Sequence, residues 1–347
     1  MKRLLLFCVL LLLVIGGVAA WFTFKSGTTF DEKSKYFIVE EGKTDKASVL
    51  ETLEEKKIVT STLLFSFIAS KAGVWDKLKP GKFEVKKGQS LLSIARMLKN
   101  NKQADVKLII NKLRTKEDLA RLIGKNFVHD SATVMNFLSS NDSLQAFHVD
   151  TNTVFTLIIP DTYTFHWNTP LRRMIGRLAE EHDAFWAKNN RTAKASSEGF
   201  TPEQIYTLAS IVEEETNASD EKGNIASVYM NRYNKGMALG ADPTVKYALR
   251  DFGLKRILLG HLTVESPYNT YRNKGLPPGP ICTPSVETLD AVLNAPKTDY
   301  LFFVASSEFN GHHHFSSNFA EHSQYAKQYH VALSARMAEK KADKEPE

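Results

Sequence analysis

The stretch Ser210–Thr216 (SIVEEET) places three consecutive carboxylates directly behind an apolar run. A carboxylic acid held against apolar surface is poorly hydrated in its charged form. Its pKa therefore climbs toward the range in which it donates a proton to a leaving group. On a helical wheel at ~100° per residue, Ile205, Leu208, Ala209 and Val212 make one apolar stripe,. Glu215, three residues past Val212, returns to the edge of that stripe. Glu214 points nearly away from it and Glu213 flanks the other side, as two ordinary solvated carboxylates would. Glu215 is thus the candidate general acid. Periodicity alone leaves a second reading open, a carboxylate at a fraying helix end.

Three later segments, 226–249, 265–285 and 312–322, are rich in Asn, Tyr, Thr, Gly and Pro. That mixture is expected where a rigid backbone presents hydroxyls, amides and aromatic faces to a sugar chain. Some of these residues also fit plainer roles: Asp242 before Pro243 forms a turn, and Tyr268 and Asn269 beside Pro267 build a structural loop. Asp161 reads as a turn cap, not a second acid. His312, His313, His314 and His322 suggest a metal-dependent hydrolase, but consecutive histidines do not readily converge on one ion and no H-E-x-x-H helix is present,. The two cysteines, Cys8 and Cys282, offer neither a disulfide framework nor a cysteine-ligated zinc site,. No metal or cofactor is expected.

The elements that must position these residues have their own signals. Thr201 is a natural helix cap, Pro202 suits the first helical position, and Gln204 completes a capping box, so a helix starts there and runs into the glutamates,. Residues 188–199 read as a polar loop and 127–200 as largely helical. The interruption is IIPDTYTFHW (158–167), where Pro160 ends a helix and Asp161–Tyr163 form a turn that pins Tyr163, Phe165 and Trp167,. Before this, residues 35–59, 81–102 and 106–126 each repeat a strand, a turn and a short amphipathic helix, with Leu91, Ile94, Ala95 and Leu98 on the helix of the second and a helix-start capping signal at Thr115–Asp118 in the third,. The second repeat, on V-x-x-G-x-S-L-x-x-I-A, resembles a lysin-motif glycan-binding module; a generic small α/β packing unit is the alternative.

At the amino terminus, Lys2 and Arg3 precede an uncharged run from Leu4 to Phe22, just long enough for a membrane-crossing helix,. The positive-inside rule then leaves the rest of the chain on the far side of the membrane. A cleaved signal peptide, with Val18 and Ala20 at peptidase spacing, is the rival. With 43% hydrophobic and 24% charged residues, the remainder is neither disordered nor a multi-span membrane protein,. The net charge of +6 suits anionic envelope polymers or lipid headgroups, or is a mildly basic surface with no partner. Nucleic acid is not an expected partner, since no basic stripe with interleaved aromatic side chains is visible.

Seven stretches together resemble the endolytic murein transglycosylases, the YceG-like group: PDTY (160–163), LASIVEEET (208–216), ASVYMNR (226–232), ADPTVKYAL (241–249), SPYNTYRNKGLPPGPICTPS (266–285), YLFFVA (300–305) and HFSSN (314–318). One departure is FTLIIPDTY, where the family usually has a Glu-Gly-aromatic approach. The resemblance places the catalytic glutamate immediately before the threonine of I-V-E-x-E-T, here Glu215. It implies that one glutamate protonates the glycosidic oxygen between N-acetylmuramic acid and N-acetylglucosamine, then takes the proton of the muramyl C6 hydroxyl. That hydroxyl attacks the anomeric carbon and leaves a 1,6-anhydro end. Asp242, Thr244, Tyr268, Asn269, His314 and Asn318 are its substrate-positioning candidates.

The expected architecture is α+β: a cytoplasmic tip (1–3), a transmembrane helix (4–22), a tether (23–35), a lysin-motif-like region (36–126), a mainly helical, mixed catalytic domain (127–335) and a charged tail (336–347). The resemblance also implies action within nascent peptidoglycan strands, outside the cytoplasm, beside penicillin-binding synthases. A non-enzymatic, wall-binding scaffold for such synthases is the alternative.

Overall fold

The computed structural model describes Gly17 and residues 25–342. Apart from Gly17, the expected tip, membrane-crossing helix and signal-peptidase site lie outside the described residues, as does Cys8. Among the described residues no helix is long and apolar enough to cross a membrane. The architecture is α+β, with mostly short helices and, among the described residues, three two-stranded sheets: β1 (Ser34–Val39) with β2 (Gly81–Lys86), β3 (Asp105–Ile109) with β4 (Thr162–His166), and β5 (Phe302–Ala305) with β6 (His313–Ser316).

The chain forms two compact units. The first holds residues up to Leu108 with Asn126–His129 and Thr164–Pro170, and the second holds Ile109–Lys125, Asp130–Tyr163 and the chain from Leu171 onward. The third sequence repeat is therefore split between them.

In the first unit β1 and β2 run antiparallel with Phe37 opposite Phe83, their rings 5.6 Å apart. Asp45 caps α1 (Lys46–Glu55) through the Ala47 and Ser48 amides, and Ser61 caps α2 (Thr62–Ala72). Ser90 caps α3 (Leu91–Lys99), whose Leu91, Ile94, Ala95 and Leu98 are buried, the residues singled out by their spacing. These apolar faces close over the two-stranded sheet as one core.

The second unit begins with the capping signal at Thr115. The Thr115 amide donates to Asp118 and the Asp118 amide to Thr115 Oγ1, starting α4 (Lys116–Asn126). The short helices α5 (Ser131–Leu138) and α6 (Asn141–Leu144) follow. Strand β4 begins at Thr162, inside the turn expected over Asp161–Tyr163, and its last three residues belong to the first unit. Tyr163 and Phe165 are buried between exposed neighbours, the period-two alternation of a strand,.

After α7 (Leu171–Ala187), the stretch expected as a polar loop contains α8 (Arg191–Ser197). The reason is tertiary. The guanidinium of Arg191 is buried, forked onto Asp290 at 2.8 and 2.9 Å, and donates to the Phe185 carbonyl, which fixes the turn that composition alone would leave loose,.

Helix α9 (Pro202–Glu215) starts at the expected capping box, with Thr201 and Gln204 each accepting from the other's amide. Every residue from Ile205 to Val212 is buried, so the helix is enclosed all round by the core instead of presenting one stripe. Its neighbours are α8, α10 (Lys222–Asn234), α11 (Asp242–Leu249) and α12 (Val286–Leu293). The last helix, α13 (Phe319–Ala342), packs against β5 and β6.

Candidate active site

The three glutamates at the end of α9 have three different environments. Glu213 and Glu214 are not solvated as expected; their side chains are only 14% and 16% exposed. Glu213 accepts from the hydroxyls of Ser285 and Thr288 and faces Lys112 and Lys222, each at 3.6 Å. Burial alone would raise its pKa, but the Thr288 hydrogen bond, the Lys222 charge and the Ser285 hydrogen bond hold it below the ordinary value,. Glu214 accepts a fork from Arg114 at 3.2 and 2.9 Å and meets Lys112 at 3.2 Å. The wheel missed these partners because, apart from Lys222 on the next helix, they come from about 70 to 100 residues away in sequence.

Glu215, the last residue of the helix, has no ion pair within 4 Å among the described residues. Its carboxylate accepts a hydrogen bond from the Tyr229 hydroxyl of α10. Loss of hydration pushes its pKa up to about 7. The Tyr229 hydrogen bond pulls against this, the negative charge of Asp242 adds to it, and Lys246 and Arg232 oppose it more weakly,. The residue as a whole is half-buried, at the point where the enclosed helix α9 ends. The negative end of the α9 dipole also disfavours a carboxylate at this position.

The supporting residues are themselves held. Tyr229 is fully buried and meets the Phe303 ring of β5 edge-on at 5.9 Å. Arg232, one turn along α10, gives its guanidinium to the Leu301 and Leu239 carbonyls at 2.7 and 2.6 Å, so it is a fixed charge beside the acid without pairing to it. Tyr271 donates to Asp242 at 2.6 Å.

Of the other sequence candidates, the structure brings only Asp242 into this cluster. Thr244 is fully buried and ties the Ala241 carbonyl to the Thr270 hydroxyl, which pins the start of α11. Asn269 is fully buried as well; its amide nitrogen donates to the Leu262 and Val264 carbonyls. Both hold loops and have no surface for a substrate. Tyr268 is half-buried and lies against Tyr247, away from the Glu215 hydrogen-bond cluster. His314 stacks on Tyr325 at 4.5 Å, and Asn318 accepts from the Glu321 amide as a cap of α13.

The other histidines diverge too. His312 meets Asp220 at 3.2 Å, His313 meets Glu221 at 2.9 Å, and His322 stacks on Phe302. Among the described residues no group of three or more His, Cys, Asp or Glu side chains converges. Tyr229, Arg232, Lys246 and Tyr271 were not legible as site residues. Tyr229 and Arg232 stand three apart on one helix, but nothing in the sequence says which helix faces the acid.

The YceG-like family profile matches residues 37–328. The chain is a member of the YceG-like family. It is 35% identical to an endolytic murein transglycosylase of Bacillus subtilis (strain 168) over 173 residues, 50% of this chain and 47% of that protein. A Streptococcus pneumoniae (strain D39) protein of the same name is 27% identical, covering 85% of this chain and 59% of the other. The chain thus spans about half to three-fifths of the length of these relatives. A crystal structure of a YceG-like protein from Listeria monocytogenes superposes with a TM-score of 0.54 at 27% identity, covering 85% of this chain and 99% of that one. The family match encloses Glu215 and the four residues around it that sequence reasoning missed.

Because the Tyr229 hydrogen bond favours the ionised form of Glu215, its removal has a definite sign. In Tyr229→Phe the carboxyl is expected to titrate at higher pH than in the native protein. Infrared difference spectra of the carboxyl band across pH 5–9, with Glu215→Gln as the blank, measure this; a downward or absent shift rules the hydrogen bond out as a control on the acid.

Proposed function

We propose that this YceG-like chain is an endolytic lytic transglycosylase that cuts the bond between N-acetylmuramic acid and N-acetylglucosamine inside peptidoglycan strands. The observation that carries this reading is a single unpaired carboxyl, poised to be half protonated at about pH 7 and held by one phenol, within the family match. An ordinary glycosidase needs a second carboxylate as nucleophile or base. Here Glu213 and Glu214 are already committed to cations, and Asp242 is engaged by Tyr271.

In the proposed reaction, neutral Glu215 gives its proton to the glycosidic oxygen as the C1–O4 bond breaks. The resulting carboxylate then accepts the C6 hydroxyl proton as that oxygen bonds to C1. The acid is regenerated and no water is consumed. Intramolecular attack of this kind gains chiefly from orientation, and Asp242, whose charge acts on Glu215, with its partner Tyr271 would hold the sugar.

The remaining readings belong to the same proposal. Residues 4–22 act as a single-pass anchor in the cell membrane, which places residue 25 onward outside the cytoplasm near nascent strands and their synthases. Digestion of that portion by protease added to spheroplasts is the test. The smaller unit acts as a wall-binding module: its open cleft of about 670 Å³ is lined by Lys86, Lys87, Arg96 and Lys102 with Gln89 and Asn100, a basic surface suited to an anionic polymer.

Purified protein incubated with sacculi should release fragments whose muramyl ends are lighter by one water than hydrolytic ends, as read by mass spectrometry. Reducing ends alone would make the protein a hydrolase. Retained binding without cleavage would make it a scaffold.

A further inference from the structure

The second unit contains another polar cleft, about 180 Å³ in volume, between α11, the 151–155 turn and the 266–280 loop. Tyr247 and Tyr268 line it with rings 4.7 Å apart and tilted by 44°. Two cations, Lys116 and Arg250, line it as well. The Lys116 ammonium is anchored on the Thr151 carbonyl at 3.2 Å, which leaves further donors free,. Arg250 lies over the Tyr247 ring at 5.3 Å. Among the described residues its one ion pair, with Glu117 at 3.6 Å, joins two half-exposed side chains and is worth little in water.

Two backbone features indicate a built site. Arg250 ends α11 in the left-handed region at φ 56°, where Gly or Asn fits with less strain and a long cationic side chain is an uncommon choice. Gly279 admits no side chain, since a Cβ there would lie 2.1 Å from the Asn152 carbonyl oxygen. The wall therefore closes backbone against backbone. The cleft is smaller than the roughly 300–1,000 Å³ of pockets that enclose a whole ligand, so it fits a terminal group better than a disaccharide.

We propose that this cleft is a subsite for the acidic peptide stem carried by the muramyl residues. A stem carboxylate is taken by Arg250 and Lys116, and the adjoining aliphatic stretch lies on the faces of Tyr247 and Tyr268. α11 links the two sites. Asp242 at its start neighbours Glu215, and at ~1.5 Å per residue Arg250 lies roughly 12 Å further along the axis. This inference rests on the transglycosylase reading for the identity of the polymer.

The test uses the full chain in detergent carrying Glu215→Gln, so that strands persist, and calorimetry with two probes: glycan strands bearing stems and the same strands stripped of them. Stems are expected to tighten binding about tenfold through charge-assisted hydrogen bonds. Arg250→Asn, which suits the left-handed backbone, should abolish that gain while leaving stripped strands within about twofold. Lys116→Met should act in the same direction and serves if Arg250→Asn melts abnormally. Equal weakening of both probes, or no gain from stems, overturns the subsite.

The free stem peptide should compete at lower concentration than inorganic phosphate. Equal competition by phosphate marks a general anion site and overturns the stem assignment. Product analysis of the native chain separates the two readings. A stem gain that is lost in Arg250→Asn without any anhydro ends sinks the transglycosylase and keeps the subsite, whereas anhydro ends with no effect of Arg250→Asn sink the subsite alone.

Discussion

Glu215→Gln is expected to lower the yield of anhydro ends by roughly 10²–10⁴, the range that positioned acid–base groups supply, without unfolding the protein. The amide cannot deliver a proton, yet it keeps an oxygen to accept from Tyr229. The same replacement should change stability in a pH-dependent way. A carboxyl raised from 4.5 to about 7 in the folded state binds its proton more tightly there than in the unfolded chain. Its favourable contribution is complete below about pH 4.5 and is lost as pH rises through 7, on the order of 3 kcal/mol in all. The glutamine variant lacks that slope, so its advantage over the native chain should grow from pH 4.5 to about pH 7 and then level off. Urea midpoints at pH 5 and pH 8 for both proteins measure it. Identical slopes would remove the dry acid, and undiminished anhydro ends would remove its role.

Two residues earlier in the same helix the expectation reverses. Glu213→Ala should cost about 3 kcal/mol or more of stability at pH 7, because Lys222 is buried at 7% side-chain exposure and loses its nearest anion,. Its other carboxylate, Glu287 at 3.7 Å, is 60% exposed and replaces little of that interaction,. The Thr288 hydroxyl, which donates to Glu213, loses that acceptor as well. The depressed pKa of Glu213 fixes the pH course: its contribution is present above the unfolded value of 4.5 and falls away as pH drops below it,. Glu213→Ala combined with Lys222→Met should recover part of the loss, since removing both charges leaves none buried alone. Denaturant unfolding of the three variants checks this, and a loss under about 0.5 kcal/mol for Glu213→Ala would show that the pair is not structural.

What the sequence made legible was local. The capping box at Thr201 and Gln204, the capping signal at Thr115 and Asp118, and the apolar spacing of Leu91, Ile94, Ala95 and Leu98 are all satisfied within a turn or two of chain. The misses are the places where distant residues decide. Residues 191–197 form a helix because Arg191 reaches Asp290. Residues 162–166 form a strand because β3 lies beside them. Thr244 and Asn269 belong to conspicuous motifs, and the structure uses them to fasten loops. The wheel selected Glu215 by a stripe that does not exist as such, since α9 is buried all round. Glu215 stands apart because its two neighbours found cations and it found a phenol.

The enclosure of α9 also bears on assembly order. Ser210 accepts from the Ile281 amide, Cys282 donates to the Ser210 carbonyl, and Glu213 is bound by Thr288, all across 71 to 75 residues of sequence. Contacts of such long sequence separation form late, after the loop-closure entropy has been met. A chain still emerging during synthesis therefore holds SIVEEET as a strip of ordinary hydrated carboxylates. The core that encloses α9 is completed only when Ile281, Leu289 and Val292 arrive, so the distinct surroundings of the three glutamates belong to the folded chain and not to the emerging one.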